Sequence, residues 1–550
     1  MKKKTVSVEI QAGITGILVF ILLYGVRILN PLYDAWTLQG MDLTQHYLGA
    51  LFFRVSAWQF PIGNMDRICY PNSVSVVFTD SIPLMALISK LLRGILPLHF
   101  QYFGFWGLLC FALQGFFSAK LLSRFIDHRG YVWICSIFFI LSPVFLYRVF
   151  YHTALASEWL ILWAYDIAFD QMEGCDSGRR RISSLAELLV IAMSAAMIHI
   201  YLLVMCTIAI MFGMLIRLIR DKDIYHRIWV IVKGILYLAA ALGTLVCLGV
   251  ARSDQQLDAG GLTQFSFNLN GLLNPMDGWS VVLPALSAYG EGYGEGLAYL
   301  GLGMMIMTVM GVLCWLIGRI RKENCRIYNR SECIFLWITA VTALLIAVSP
   351  LVAVNGHMQF RIPYPEKIVS LWGIVRASGR FIWMVVYTIM LTSMIMLYRR
   401  FKGKKILIPL LLVLLAVQLT DLSGKLTEIH QKYTSEMTYS NLDETQVWQK
   451  VAADPKIRHI IFATDVTEDQ GLMYPVAEFA LDHDLTSNMF YIAHNASMGA
   501  ITESLNSSMQ NLQDDTVYVF KDSSADEMKK YSQLFYYQID GGYIGLLHQL

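Results

Sequence analysis

Apolar residues gather into eleven runs of spanning length, near 8–29, 101–123, 130–149, 154–170, 184–199, 201–219, 228–250, 297–319, 332–354, 378–398 and 405–422. Lipid offers backbone amides no partner, so each run is predicted to be a helix that satisfies its own hydrogen bonds. A twelfth run, Ser81 to Leu98, is shorter and carries Lys90 and Arg93, so its crossing cannot be read from length alone. Charge placement arbitrates. If that run lies in or dips into the interface, six segments at one membrane face hold 23 of the 43 basic residues, and the loops 30–80, 251–295 and 355–380 hold only seven. Cytoplasmic loops collect Lys and Arg, so the N-terminus is predicted inside and the C-terminus outside. Within the first outer loop, Leu43, Tyr47, Ala50 and Leu51 recur at helical spacing, which predicts an interfacial helix over 42–58. From residue 424 the chain turns polar. Strand-like runs at 459–463, 489–493 and 516–520 alternate with helical ones at 445–453, 474–482 and 500–512, the pattern of a small α/β domain with a mainly parallel sheet.

The fold class that follows is mainly α: a polytopic membrane helical bundle over 1–423, with a first outer loop at 30–100 and an extracytoplasmic α/β domain over 424–550. Composition agrees, because 56% hydrophobic and 15% charged residues in a chain of 550, with mean hydropathy +0.50, suit lipid rather than water as the main solvent. A net charge of +2 gives no polyelectrolyte argument for a nucleic-acid partner. The nine cysteines contain no CxxC pair, and several fall inside apolar runs where a thiol packs as a small hydrophobe. Lys2, Lys3 and Lys4 precede the first apolar run, but no small-residue cleavage site follows it, so the run reads as a retained helix.

Candidate chemistry lies in the predicted outer segments. Asp42 and His46 are four apart and share a helical face, so a carboxylate and an imidazole can enter one cavity; the alternative is a helix cap beside a headgroup-facing histidine. Asp80 reads as a second acid or as the cap of the next helix, with Pro83 in its first turn. Arg148, His152 and Glu158 cluster at the outer end of the third run, where ionisable groups are expensive and mark a site by default. His199 and Tyr201 break a long apolar stretch, either as ligands or as a tight turn. Glu291 and Glu295 stand in the glycine-rich run Tyr289 to Gly301, where backbone can approach a ligand; ordinary loop acids are the competing reading. The last outer loop carries Arg361, Arg376 and Arg380 against the charge trend, with Tyr364 and Trp372 available to anchor or to stack on a sugar. Arg376 and Arg380, four apart where a helix enters the membrane, suit bidentate capture of a phosphate, with headgroup anchoring as the alternative.

The phrases GMDLTQHYLGALFFR, YPNSVSVVFTDSIPL, FYHTALASEW, NLNGLLNP, GEGLAYLGLG and RASGRF, within 8–425, resemble an uncharacterised bacterial branch of the GT-C superfamily of polyprenyl-phosphate-sugar-dependent glycosyltransferases. That resemblance implies a plasma-membrane transferase moving a sugar from a lipid-phosphate carrier to a cell-envelope glycan, lipid or protein. It implies a catalytic base on the first outer loop, here Asp42 with Asp80 as second acid, and donor-phosphate contacts at Arg361, Arg376 and Arg380. The sequence departs from such relatives where a second outer acid is expected: His152 stands there, with Glu158 further on. Some relatives need a divalent cation such as magnesium or manganese and others use none, and no ligand set here decides between them. Two other classes stay open: a flippase or transporter of a lipid-linked saccharide, and a non-catalytic membrane scaffold with an outer binding domain. The expectation that separates them is a pocket in which Asp42 and the late arginines converge.

Overall fold

The computed structural model describes residues 6–174, 179–250, 262–276, 278–290, 292–322, 327–373, 375–493 and 498–550. Among them nine helices are long and apolar enough to cross a membrane: Phe103–Ser123, Arg129–Arg148, Arg181–Ile198, Ile200–Arg220, Ile224–Leu248, Leu302–Ile320, Arg330–Val348, Ser378–Phe401 and Leu407–Thr434. The two other predicted runs form the shorter helices Val8–Tyr24 and Trp159–Glu173. The chain is a polytopic membrane protein. Local chemistry sets the helix ends. Pro143, which lacks an N–H, interrupts Arg129–Arg148 after Ile140. Asn329 and Glu332 form a reciprocal cap at the start of Arg330–Val348, their side chains taking backbone N–H groups at 2.9 and 2.7 Å. Helix Pro83–Leu91 has nine residues, a rise of roughly 14 Å, too short to span hydrocarbon.

The chain folds as two compact units. The first comprises Met1–Arg27, Gly104–Leu242 and Ala259–Ser435. Its helices approach closely through small residues: a Cβ at Gly16 would lie 2.1 Å from the Phe111 carbonyl oxygen, so no larger residue fits that crossing. Phe20, Tyr24, Phe111, Phe150 and Tyr433 interlock edge to face and by tilted contacts beside it. Asp421, fully buried in Leu407–Thr434, accepts the Tyr299 hydroxyl at 2.7 Å and the Leu302 N–H at 2.8 Å. A helix start leaves N–H groups without intrahelical partners, so this carboxylate fixes where Leu302–Ile320 begins.

The second unit comprises Ile28–Phe103, Gly243–Asp258 and Glu436–Leu550. The helix predicted over 42–58 spans Met41–Val55, and every residue from Leu43 to Arg54 is buried. It packs against helix Gln470–Asp482, and the Met41 N–H donates to Gln470 Oε1 at 3.1 Å. A five-stranded sheet runs in the order Thr486–Ser487, His459–Phe462, Thr516–Lys521, Gly542–Leu546, Phe535–Ile539. Two departures from the predicted domain have physical causes. Residues 489–493 are not a strand; the pairing comes earlier, at Thr486–Ser487, and Phe490 packs instead on Phe52 and Tyr474. The sheet is mixed rather than mainly parallel, because an antiparallel hairpin turns at Asp540 and Gly541, where Gly541 has φ +75°.

Candidate functional site

Within the first unit, the end of helix Arg129–Arg148, the start of Ile200–Arg220 and two short turns bring ionisable groups together. Glu295 lies in the turn Tyr293–Gly296, against the turn Ser378–Phe381. Two glycines allow that approach. A Cβ at Gly379 would lie 2.6 Å from the Phe265 carbonyl oxygen and 2.9 Å from Gly296 Cα, and the Gly379 N–H donates to the same Phe265 oxygen at 2.9 Å. Glu295 and Arg380 therefore face one another because the backbones carrying them touch.

Arg380 Nε meets Glu295 Oε2 at 2.6 Å, and Arg148 Nη1 meets the same oxygen at 3.0 Å. Arg148 Nη2 also donates to the Glu295 main-chain oxygen at 3.2 Å. Its guanidinium is fully buried between the rings of Tyr147 and Trp383, at 4.7 and 5.2 Å from their centroids. His152 Nε2 lies 3.2 Å from Glu295 Oε1. Burial alone would raise the Glu295 carboxyl, but Arg148, Arg380 and His152 hold it well below the usual carboxylate range. Arg380 also lies 4.7 Å over the ring of Tyr201, whose hydroxyl accepts the Ala377 N–H at 2.8 Å. Among the described residues, Glu295 orders two guanidiniums in advance at one end of the helices. Arg376 is half-buried nearby in sequence, 5.7 Å over Phe265.

The remaining predicted residues divide. His199 is the cap of Ile200–Arg220, its Nδ1 accepting the Tyr201 N–H at 3.2 Å, so it makes the turn that orients Tyr201. Glu158 turns into the bundle, where it accepts the Tyr387 hydroxyl, which in turn accepts from Gln114 at 2.9 Å. Arg361 is exposed at the end of the hairpin Leu351–Val354 and His357–Arg361, while Tyr364 and Trp372 contact each other edge to face at 5.3 Å. Glu291 lies outside the described residues.

Asp42, His46 and Asp80 belong to the second unit. Asp42 is half-buried in the first turn of Met41–Val55, whose cap is Gly40 with no side-chain bond. His46 is buried one turn on, and its carbonyl accepts Ser81 Oγ at 2.7 Å. Gly49 lets the segment 79–81 lie against the helix, since a Cβ there would meet Thr79 at 2.5 Å. Asp80 ends the turn Val76–Thr79 with φ +52°, and Ile82, not Asp80, precedes Pro83 as the helix cap. Sequence spacing gave no sign of another cluster in this unit. His99 lies 3.0 Å from Asp34 and 2.8 Å from Asp482, Tyr47 donates to Asp34 at 2.9 Å, and Asn441 donates to Asp482 at 3.1 Å.

No three His, Cys, Asp or Glu side chains among the described residues are grouped to hold a metal ion. Glu295 is engaged by guanidiniums, and Asp34 and Asp482 by His99.

Comparison with known proteins gives a family match over most of the chain. The family described as "Domain of unknown function (DUF6311)" matches residues 13–423, and the "DUF6311 C-terminal domain" matches residues 447–547. No curated protein matches the chain. Among solved structures it is similar to the Archaeoglobus fulgidus oligosaccharyltransferase determined in complex with Zn and sulfate, at 11% identity, with 97% of this chain and 73% of that chain covered and a TM-score of 0.41.

Proposed function

The chain belongs to the DUF6311 family, and from the cationic cluster around Glu295 we propose that it is a membrane glycosyltransferase taking its sugar from a polyprenyl-phosphate carrier. One observation carries this reading: Arg148 and Arg380 are both held on the buried carboxylate of Glu295, which orders two guanidiniums in advance where a leaving phosphate would develop charge. The cluster sits where Arg129–Arg148 ends and where Ile200–Arg220, Leu302–Ile320 and Ser378–Phe401 begin. The opposite ends of these helices carry Arg129, Arg217, Arg220, Arg319, Arg399 and Arg400, which supports an extracytoplasmic cluster in the plasma membrane with the N-terminus inside. A transporter would need polar groups through the midplane, whereas these groups gather at one end.

In the proposed reaction an acceptor hydroxyl oxygen attacks the anomeric carbon and the bond from that carbon to the phosphate oxygen breaks. The bonding electron pair stays on the phosphate, facing Arg380 and Arg376. The hydroxyl proton passes to a carboxylate, for which Asp42 is the candidate base and Asp80 the second acid. The acceptor is a cell-envelope glycan, lipid or protein.

Two variants test the proposal, Asp42→Asn and Arg380→Gln, each expressed at the wild-type level in cells deleted for the gene. Either should leave cell-surface glycan composition like that of the deletion. Restoration of the wild-type glycan by both variants would overturn the transferase reading.

A further inference from the structure

The second unit contains a polar recess that the transfer reaction does not use. It is a cavity of about 380 Å³. The first residues of strands His459–Phe462 and Thr516–Lys521, the last turn of helix Met498–Gln510 and the segment Tyr70–Pro71 line it, and it opens to the surface past the exposed Ser507, Asn511 and Gln513. Tyr70 stacks flat on the His459 imidazole, with ring centroids 4.4 Å apart and planes 13° from parallel. His459 Nδ1 is fixed at 2.7 Å from Thr486 Oγ1, which sets the orientation of the stacked pair. Ser507, Asn511 and Gln513 supply a hydroxyl and two amides. Asp515 supplies the one carboxylate, and its Oδ1 accepts Thr516 Oγ1 at 3.1 Å.

The chemistry of this lining selects its ligand. A phosphate would want a guanidinium, an ammonium or a helix N-terminus, and here, among the described residues, no Lys or Arg lines the cavity and the helix offers its C-terminal end. A lone carboxylate is too little for a divalent cation. An apolar ligand would strand the hydroxyl and amide groups without partners. A neutral polyol answers every feature: its hydroxyls both donate and accept, as Ser507, Asn511, Gln513 and Asp515 require, and its C–H faces suit the Tyr70 ring and Pro71. The volume falls within the range of small-molecule sites.

We propose that this recess binds a neutral sugar ring, an uncharged monosaccharide or disaccharide portion of a glycan. Its assignment to the acceptor rests on the transferase reading; the binding itself does not.

The test is saturation-transfer difference NMR on the full-length detergent-solubilised protein. The probes are glucose, galactose, mannose, N-acetylglucosamine and lactose, with glucose 6-phosphate as the charged control. At least one neutral sugar should receive saturation. Asn511→Ala and Asp515→Asn should each weaken its binding roughly tenfold, the loss expected of one well-placed hydrogen bond. Arg380→Gln should leave it unchanged. The proposal is overturned if no neutral sugar in the panel receives saturation, if neither recess variant weakens the signal, or if glucose 6-phosphate binds more tightly than the neutral sugars. Sugar binding that survives while Asp42→Asn and Arg380→Gln both leave the cell-surface glycan intact would sink the transferase reading alone.

Discussion

Arg148 is fully buried, whereas the Arg380 side chain keeps 11% of its surface, and this difference separates their roles. In the proposed reaction Arg148 acts through Glu295 as a positioning residue, and Arg380 is the guanidinium that meets the phosphate. Glu295→Gln would leave Arg148 buried without its counter-charge, so a destabilisation of about 3–5 kcal/mol is expected, read as a fall in Tm of the solubilised protein. Arg380→Gln should cost little stability and weaken binding of a polyprenyl phosphate in nanodiscs roughly tenfold, as loss of a charge-assisted hydrogen bond implies. Equal Tm values for Glu295→Gln and wild type would remove the structural role assigned to the ion pair. The sequence singled out Arg148 and His152 because ionisable groups beside an apolar run are expensive, Glu295 as a loop acid and Arg380 as a phosphate contact, but nothing in it joined the four. Glu158 was grouped with Arg148 and His152 on the cost of ionisable groups near hydrocarbon, but the chain leaves the helix after Arg148, and Glu158 joins Tyr387 instead. The triad of Asp34, His99 and Asp482 was invisible, since no local pattern joins residues that far apart.

At the level of elements, contact between two turns fixes the site, so Gly379 should be intolerant. Gly379→Ala places a methyl against backbone at 2.6 Å, and backbone cannot yield as a side-chain tip can. The expected result is loss of lipid-phosphate binding similar to Arg380→Gln, with the protein still inserted in the membrane; wild-type binding would show that the turns can separate without consequence. In the second unit, hydrogen bonds to Asp34 and Asp482 raise His99 to about 10. A raised imidazole pKa contributes stability that is complete below its ordinary value near 6.5 and is lost as pH climbs through about 10. Hydrogen exchange in helix Gln470–Asp482 should therefore lose protection between pH 7 and pH 10 relative to its intrinsic rate, and His99→Gln should remove most of that difference. Helix positions were readable because lipid enforces them. The strand at Thr486–Ser487 was not, because two residues carry too little pattern and the apolar run beside them serves packing. The hairpin had a signal in Asp540-Gly541 that an emphasis on alternating strands and helices passed over.

For the whole molecule, the second unit is assembled from three separated stretches, and the contacts between 28–103 and 436–550 are specific. The Tyr70 N–H donates to the Ser487 carbonyl at 2.9 Å, the Ser487 N–H donates to the Arg67 carbonyl at 2.9 Å, and Gln45 donates to the Tyr491 carbonyl at 3.2 Å. A fragment of 436–550 alone lacks these partners. It should bind a hydrophobic dye and exchange its amides faster than the same residues in the full chain, and equal protection would show that it folds without the first outer loop. A consequence for biogenesis follows. The ribosome completes 28–103 and then makes roughly 330 further residues before the final stretch begins, a delay on the order of tens of seconds at ordinary synthesis rates. For that interval Leu43, Leu48, Phe52 and Phe53, all buried in the finished protein, have no cover from the C-terminal helix. Shelter from a translocon-associated chaperone or from the lipid surface itself is therefore expected, which makes the nascent chain rather than the mature protein the stage most exposed to proteolysis.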